Sequence, residues 1–267
     1  MKYDLIVTDL DDTLLRDDRT ISLRSKQTIA RAAERGITVA VATGRMYASA
    51  IPYARELGLT GPILCCQGAY IADIETGAPI AKIGVPLALA REVLAFAADE
   101  GVYAQYYDTE GYFFERECWQ SDFYAAHTGV TGQALGRPVA DTLDYDPIKV
   151  LLLDEPERIR ALYEVARQRF AGRLEVAISK PHYLEFTHPE AHKGAAVKAL
   201  AERMGIPQGR VMAAGDALND LSMIEWAGLG VAMGNGDERV RRRADVVTGT
   251  NEEDGVAQAI EHYALEE

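Results

Sequence analysis

Two carboxylates lie two residues apart near the start of the chain, at the point where an apolar run ends. Asp9 and Asp11 directly follow residues 4–8, whose apolar and β-branched side chains predict a buried strand. One carboxylate of such a pair can attack an electrophile while the other transfers the leaving group's proton, and the two can also hold a divalent cation. An acidic loop can equally be a solvated turn, so the choice between these readings depends on the rest of the chain.

Three more groups of polar residues follow, each at the end of a predicted strand or the start of a predicted helix. A second strand, over 37–42, ends in Thr43-Gly44-Arg45. An apolar-periodic helix opens at Lys193-Gly194, and a third strand, over 210–214, runs into the acidic segment 215–220. In an open parallel α/β sheet such positions line the crevice outside the carboxyl ends of the strands. We therefore expect these groups to meet there.

The pattern around these groups predicts the elements that must position them. Through residues 1–82 strands alternate with helices near 22–35 and 47–57, the first of which Ser22 would cap, and a hairpin follows around Glu75-Thr76-Gly77. Alternating β and α units indicate a parallel sheet with right-handed crossovers. The same alternation resumes at Lys193 and continues in short elements towards residue 267.

The stretch between these two parts has a different composition. Aromatic residues concentrate in 103–124, and a strand over 148–153, a helix near 156–170 and two further strands follow. We therefore predict a core domain from residues 1–82 and 189–267 with an α+β domain, 83–188, inserted as a lid that excludes water. The aromatic residues are expected to form mainly the core of this inserted domain, although a surface that stacks on a ligand is the alternative.

Charge and composition exclude several classes of function. The 267 residues carry a formal net charge of −13, which argues against nucleic acid and anionic membranes as partners because both require a basic face. No apolar run is long enough to cross a bilayer and no signal sequence is apparent, so a cytoplasmic location is the expectation. The three cysteines form neither a disulfide framework nor a zinc pattern.

The polar groups together resemble a known family. Residues 9–13 (DLDDT), 43–45 (TGR), 193–194 (KG) and 215–220 (GDALND) are similar, in order, to the four motifs of the haloacid dehalogenase-like (HAD) phosphatases. Residues 223–235 resemble the Cof-type branch, whose members carry a type IIB cap. The resemblance covers essentially the whole chain and implies an α/β fold, with a Rossmann-like parallel-sheet core and an inserted α+β cap domain.

The resemblance also implies roles for the residues of the first motif. Asp9 would be the nucleophile that forms an aspartyl-phosphate, although it could instead only bind metal. Asp11 would be the general acid and base, with a purely structural role as the alternative. Asp12 stands where the family often has glycine and is expected to shape the loop, and Thr13 would supply a loop hydroxyl.

Phosphate binding is assigned to Thr43, Gly44, Lys193 and Asn219. Thr43 could also cap the helix near 47–57, because helix N-termini are themselves anion sites. A lysine in the first turn of a helix opposes the helix dipole, so Lys193 requires an anionic partner. An aspartyl-phosphate and the substrate oxygens would supply that partner.

The implied cofactor is Mg²⁺. Asp9, Asp11 and Asp216 would hold it, Asp11 through its backbone carbonyl, while Asp220 would act through a water molecule or orient Lys193. Arg45 and His188 are assigned to the substrate. His188 and His192 are four residues apart, but no third ligand supports a metal site there.

These assignments predict a Mg²⁺-dependent phosphatase that hydrolyses small phosphorylated metabolites, such as sugar phosphates or phosphorylated cofactors. Transfer of the phosphoryl group to another sugar hydroxyl, as in phosphomutases, would use the same intermediate and stays open. A non-catalytic sensor of phosphometabolites is a third possibility. Nothing in the sequence indicates the individual substrate or the oligomeric state.

Overall fold

The computed structural model describes residues 2–109 and 111–266, and these form two compact units. The first unit contains residues 2–45, 50–81 and 192–266, and the second contains residues 46–49 and 82–191. The long segment of the second unit runs from 82 to 191, and the insertion of a domain over 83–188 stays a prediction. No helix in the described part of the chain combines the length and apolarity that a membrane crossing requires.

The secondary structure alternates as the sequence predicts. The strands are β1 (Leu5–Thr8), β2 (Thr38–Ala42), β3 (Pro62–Cys65), β4 (Tyr70–Asp73), β5 (Pro79–Lys82), β6 (Tyr103–Tyr107), β7 (Tyr112–Phe114), β8 (Gln133–Ala134), β9 (Lys149–Leu153), β10 (Glu175–Lys180), β11 (Tyr183–Thr187), β12 (Val211–Gly215), β13 (Leu229–Ala232) and β14 (Val246–Val247). The helices are α1 (Leu23–Glu34), α2 (Tyr47–Glu56), α3 (Leu87–Asp99), α4 (Trp119–Thr128), α5 (Pro156–Arg169), α6 (Lys193–Arg203), α7 (Leu221–Trp226), α8 (Glu238–Arg241) and α9 (Gly255–Ile260).

The first unit is built on a sheet of eight strands in the order β14-β13-β12-β1-β2-β3-β4-β5. The strands from β14 to β3 are parallel, and β4 runs antiparallel to β3. This confirms the predicted α/β core with a parallel sheet. Strand β1 is fully buried and pairs on one side with β12 and on the other with β2, so the carboxyl ends of these three strands lie side by side.

Apolar side chains from the sheet and from α6 form the core of the first unit. Leu5 and Val7 of β1 pack in one cluster with Val197 and Leu200 of α6. Helix α1 starts as predicted, because the Ser22 side chain accepts a hydrogen bond from the backbone N–H of Ser25.

The second unit has a sheet of six strands in the order β10-β11-β9-β6-β7-β8, and most of its neighbouring strands are antiparallel. Residues of α3 and α5 pack on one face of this sheet in a single hydrophobic cluster. Most aromatic side chains of 103–124 are buried in the unit, whereas Trp119 at the start of α4 is 46% exposed. The sequence did not predict α4, because its aromatic residues lack the apolar spacing of a helix with a single buried face.

Candidate active site

The polar groups of the first, second and fourth motifs follow three adjacent parallel strands. Asp9 comes directly after β1, Thr43 after β2 and Asp216 after β12. The backbone N–H of Asp9 donates to the carbonyl of Ala214 over 3.0 Å, which joins the loop that follows β1 to the end of the neighbouring strand β12. Parallel pairing therefore brings together residues that are more than 200 positions apart in the sequence.

Lys193 links two of these motifs by buried ion pairs. Its ammonium group lies 2.7 Å from Oδ1 of Asp9 and 2.6 Å from Oδ1 of Asp220, and the lysine has no exposed surface. The residue opens α6, where a cation opposes the helix dipole, and the two carboxylates supply the anionic partner that this position needs. His192 caps the helix by accepting from the backbone N–H of Ala195.

Asp220 uses both of its carboxylate oxygens to organise the site. Its Oδ1 accepts from Lys193, while its Oδ2 accepts from the backbone N–H groups of Asp216 and Ala217 over 3.1 and 3.0 Å. These bonds hold the loop over residues 216–220 in one conformation and fix the position of the Lys193 ammonium group. Such a carboxylate has little capacity left for a direct metal bond, which fits the predicted action through water or through Lys193.

Two carboxylates could hold a metal ion directly, and a third lies close enough to act through water. Asp9, Asp216 and Asp220 each offer one oxygen, and these oxygens all lie within 4.8 Å of one another. Asp216 also accepts a hydrogen bond of 2.8 Å from the buried hydroxyl of Thr13, which orients it. A small set of hard oxygen ligands suits Mg²⁺, which keeps several waters in its coordination shell. The Asp11 side chain is not part of this cluster, so its predicted contribution rests on its backbone carbonyl alone.

Burial shifts the protonation of these groups. Desolvation raises the pKa of Asp9 to about 8, although Lys193 opposes this shift, and raises that of Asp216 to about 6. Burial by itself would lower the pKa of Lys193, but the charges of Asp9 and Asp220 outweigh it and raise the value above the ordinary one. Lys193 is therefore a permanent cation, and a bound divalent cation would favour the ionised form of the aspartates.

Asp11 points to a different partner. Arg45 donates two hydrogen bonds to its carboxylate, from Nε to Oδ2 over 2.8 Å and from Nη2 to Oδ1 over 2.5 Å. The arginine is largely buried and its guanidinium also lies over the ring of Tyr53, whereas the Asp11 side chain is 47% exposed. The candidate acid/base is therefore held at the edge of the site by a rigid fork. Arg45 was assigned to the substrate from the sequence, and the contact it makes here is with Asp11.

Thr43 and Asn219 each form a hydrogen bond with a neighbouring loop residue. The Thr43 hydroxyl is buried and accepts from the backbone N–H of Arg45, and α2 begins only at Tyr47, so the alternative role of Thr43 as the cap of that helix is wrong. The exposed Asn219 donates over 3.1 Å to Oε1 of Gln67, a residue that follows β3. Sequence reasoning missed Gln67, because the only local signal was a turn that ends in glycine.

The remaining residues of the motifs shape loops. Asp12 has a φ of 57°, in the left-handed region that glycine adopts freely and aspartate tolerates, which is consistent with its expected role in shaping the loop. Its carbonyl accepts from the side chain of Asn235. His188 and His192 each use Nδ1 to accept from a nearby backbone N–H, of Glu190 and Ala195, and the described residues place no histidine in a metal cluster.

Comparisons with known proteins show the family of this chain. The family described as haloacid dehalogenase-like hydrolase matches residues 6–260. A 5-amino-6-(5-phospho-D-ribitylamino)uracil phosphatase of Bacillus subtilis is 32% identical over 267 residues, with 97% of each chain covered. A haloacid dehalogenase-like hydrolase of Bacteroides thetaiotaomicron has a TM-score of 0.88 at 32% identity, over 97% of this chain and 99% of the other. A sugar phosphatase of HAD subclass IIB shares the fold, with a TM-score of 0.79 at 23% identity over 98% and 99% of the two chains.

Proposed function

This chain belongs to the haloacid dehalogenase-like hydrolase family and is a phosphoric monoester hydrolase of small phosphorylated metabolites, and from that premise we propose that it works with Mg²⁺ through an aspartyl-phosphate on Asp9. The observation that carries the proposal is the pairing of Asp9 with the buried Lys193 beside Asp216. The cation and the lysine would offset the strongly negative charge of the whole chain where an anionic substrate must bind.

Asp9 is the proposed nucleophile. Asp9 is only 6% exposed, and one of its carboxylate oxygens is already held by Lys193 while the loop backbone fixes its position. One carboxylate oxygen attacks phosphorus in line with the ester oxygen, and the bond between phosphorus and the leaving group breaks. The ester oxygen leaves with a proton, and a phosphorylated Asp9 remains.

Asp11 is the proposed source of that proton. It protonates the departing alkoxide, and it then takes a proton from the water molecule that attacks the phosphorylated Asp9 and releases inorganic phosphate. Asp11 must enter the first step as a carboxylic acid, so one of the two bonds from Arg45 gives way to that proton while the other keeps the side chain in one orientation.

Charge stabilisation comes from Lys193 and the metal site. Asp9 and Asp216 would hold Mg²⁺, with the carbonyl of Asp11 and, through water, Asp220 completing the site. The ion would supply positive charge next to the transferred phosphoryl group. Lys193 stabilises the negative charge that the phosphoryl oxygens carry in the transition state, and Thr43, Gly44 and Asn219 are the proposed contacts of those oxygens.

The substrate class is proposed from the relatives. The Bacillus subtilis relative is named for a phosphorylated ribityl compound, and the subclass IIB structure is named as a sugar phosphatase. We therefore expect this chain to accept sugar phosphates and phosphorylated cofactors or their precursors. The roles of the inserted domain as a lid and of His188 in binding substrate stay predictions.

The test is the release of inorganic phosphate from a panel of phosphate esters, with Mg²⁺ and with a chelator. Asp9→Asn should lower turnover by at least about 1,000-fold, because it removes the nucleophile and leaves only binding. Asp12→Asn is the matched control, with the same change of charge in the same loop, and should stay within about threefold of the parent. Substantial turnover by Asp9→Asn would overturn the covalent mechanism, and phosphate transfer between sugars without release would indicate a mutase.

A further inference from the structure

The turn after β3 has an unusual backbone. Cys66, Gln67 and Gly68 have φ values of 52°, 60° and 93°, so three consecutive residues occupy the left-handed region. Only the last of them is a glycine, and residues with a Cβ are disfavoured in this conformation. Strain of this kind persists where the surrounding structure fixes it, and it is concentrated at functional sites.

Contacts on both sides fix the turn. The backbone N–H groups of Cys66 and Gln67 donate to the carbonyls of Arg45 and Thr43 over 2.9 and 3.1 Å, so the turn is bound to the second motif. On its other side, a Cβ at Gly68 would lie 2.6 Å from Cβ of Ala196 in the first turn of α6. The turn therefore packs between the second motif and helix α6, which begins with Lys193.

This backbone directs the Gln67 carboxamide at two of the proposed phosphate contacts. Its Oε1 accepts the 3.1 Å hydrogen bond from Asn219, and its Nε2 lies 2.5 Å from where a Cβ on Gly44 would be. One amide group thus touches the second and fourth motifs at the same time.

We propose that Gln67 is a positioning residue of this hydrolase, whose carboxamide orients Asn219 and covers Gly44 so that both are set for the phosphoryl group. The inference rests on the proposed function, because it takes Asn219 and Gly44 to be phosphate contacts. Asn219 is exposed, and an exposed side chain loses rotamer freedom when it binds a ligand. The hydrogen bond to Gln67 already restricts the rotamers of Asn219 before a ligand binds, so less entropy is lost on binding. The strained turn sets the direction of the Gln67 amide.

The first experiment compares the wild type with Gln67→Met, which keeps the length of the side chain and removes its hydrogen bonds. We expect KM for a phosphate ester and the inhibition constant of inorganic phosphate to rise together by about 3- to 10-fold, with kcat changed less, since one neutral hydrogen bond is lost. Asn219→Ala alone should have a similar effect, and the double variant should be no worse than the poorer single variant. Unchanged phosphate inhibition in Gln67→Met, or additive losses, would overturn the proposal.

The second experiment separates positioning from a structural role. Gln67→Gly also removes the amide, but glycine accepts a positive φ, so this variant should melt above Gln67→Met while its phosphate inhibition is equally weakened. If activity followed stability instead, with Gln67→Gly more active than Gln67→Met, Gln67 would be only a structural residue and the proposal would fail.

Failure of the proposed function has a different signature. A wild type that releases no phosphate from any ester would refute the phosphatase mechanism itself. Calorimetric titration of the wild type and Gln67→Met with inorganic phosphate then still tests Gln67, because it requires no turnover. Equal affinity of the two proteins for phosphate would overturn the role of Gln67, and weaker binding by the variant would support it.

Discussion

The site contains two separate groups of ion pairs: one joins Arg45 to Asp11, and the other joins Lys193 to Asp9 and Asp220. Lys193 thus pairs with the proposed nucleophile, Asp9, while Arg45 pairs with the proposed acid/base. A general acid matters most when the leaving group is a poor one, because a good leaving group departs without a proton. The two groups of ion pairs can therefore be distinguished by the choice of substrate.

Arg45→Lys should lower kcat by about tenfold for an alkyl phosphate and much less for p-nitrophenyl phosphate. The variant keeps the charge but loses the two-bond fork that orients Asp11. Turnover of both esters gives the comparison, and Arg24→Lys, at an exposed ion pair with Glu261, is the control. An equal loss for both esters would show that Arg45 acts on the phosphoryl group or on folding and not on the proton.

Lys193→Met should destabilise the protein by about 3–5 kcal/mol above pH 8, where Asp9 is ionised and two buried carboxylates lose their cation. It should also abolish phosphate release. Urea unfolding measures the first effect, and Lys198→Met, which removes an exposed lysine of the same helix, should change the free energy of unfolding by less than about 0.5 kcal/mol. A Lys193 variant of normal stability would mean that the aspartates are protonated in the native state.

At the scale of single residues the sequence predicted the participants better than their contacts. Asp9, Asp216 and Lys193 come together as expected, because motifs at the ends of parallel strands are bound to share one edge. The partner of Arg45 and the hydrogen bond between Asn219 and Gln67 could not be predicted. Both depend on the direction of a side chain across a loop, and neither residue has a spacing that fixes that direction.

Among the elements, α6 depends on a close approach to α7. A Cβ at Gly194 would lie 2.4 Å from the backbone carbonyl oxygen of Ser222, and the Gly194 N–H donates to the hydroxyl of Ser222 over 3.0 Å. The glycine therefore lets the first turn of α6 pack against the backbone of α7. This contact keeps Lys193 within reach of the carboxylates of Asp9 and Asp220.

Gly194→Ala should lower the free energy of unfolding by about 1–3 kcal/mol, because the clash is with backbone that cannot rotate away. It should also reduce kcat, since α6 must shift and carry Lys193 with it. Gly209→Ala is the control, since an added Cβ there meets nothing within 4 Å. Thermal melting and phosphate release measure the two effects, and a stable, fully active Gly194→Ala would show that α6 is free to move.

The elements themselves were largely predictable. Buried β-branched runs such as β1 and capped helices such as α1 carry their signal in the local sequence. Helix α4 was not predictable, because its buried side chains, Ser121 and Tyr124, are few and one of them is polar. Its position is decided by aromatic packing, in which Tyr124 contacts Tyr107 and Tyr112, and this lies beyond any local pattern.

For the whole molecule, the carboxylates of Asp9, Asp216 and Asp220 make the stability of the fold depend on pH and on divalent cations. The ordinary pKa of an aspartate is 3.8, and burial raises that of Asp9 to about 8 and that of Asp216 to about 6. The native state then binds more protons than the unfolded state between these values, so metal-free protein should lose stability as the pH rises from about 4 to about 8.

Mg²⁺ should reverse this trend. The ion binds the ionised carboxylates, so the increase in Tm that it produces should be larger at pH 8 than at pH 6. Melting curves with Mg²⁺ and with a chelator at both values check this, and Asp216→Asn should abolish most of the increase. An increase in Tm that does not depend on pH, or that survives Asp216→Asn, would place the ion elsewhere.

The pairing of β1 with β12 also has a consequence for biosynthesis. Strand β1, which directly precedes Asp9, leaves the ribosome among the first elements. Its neighbour on one side, β12, follows about 200 residues later, on the order of 10–40 s at ordinary rates of translation. The second unit has a hydrophobic core of its own and emerges almost entirely in that interval. We therefore expect nascent chains to hold a folded insertion while β1 still lacks β12, so that a stop in translation before residue 211 leaves no hydrolase.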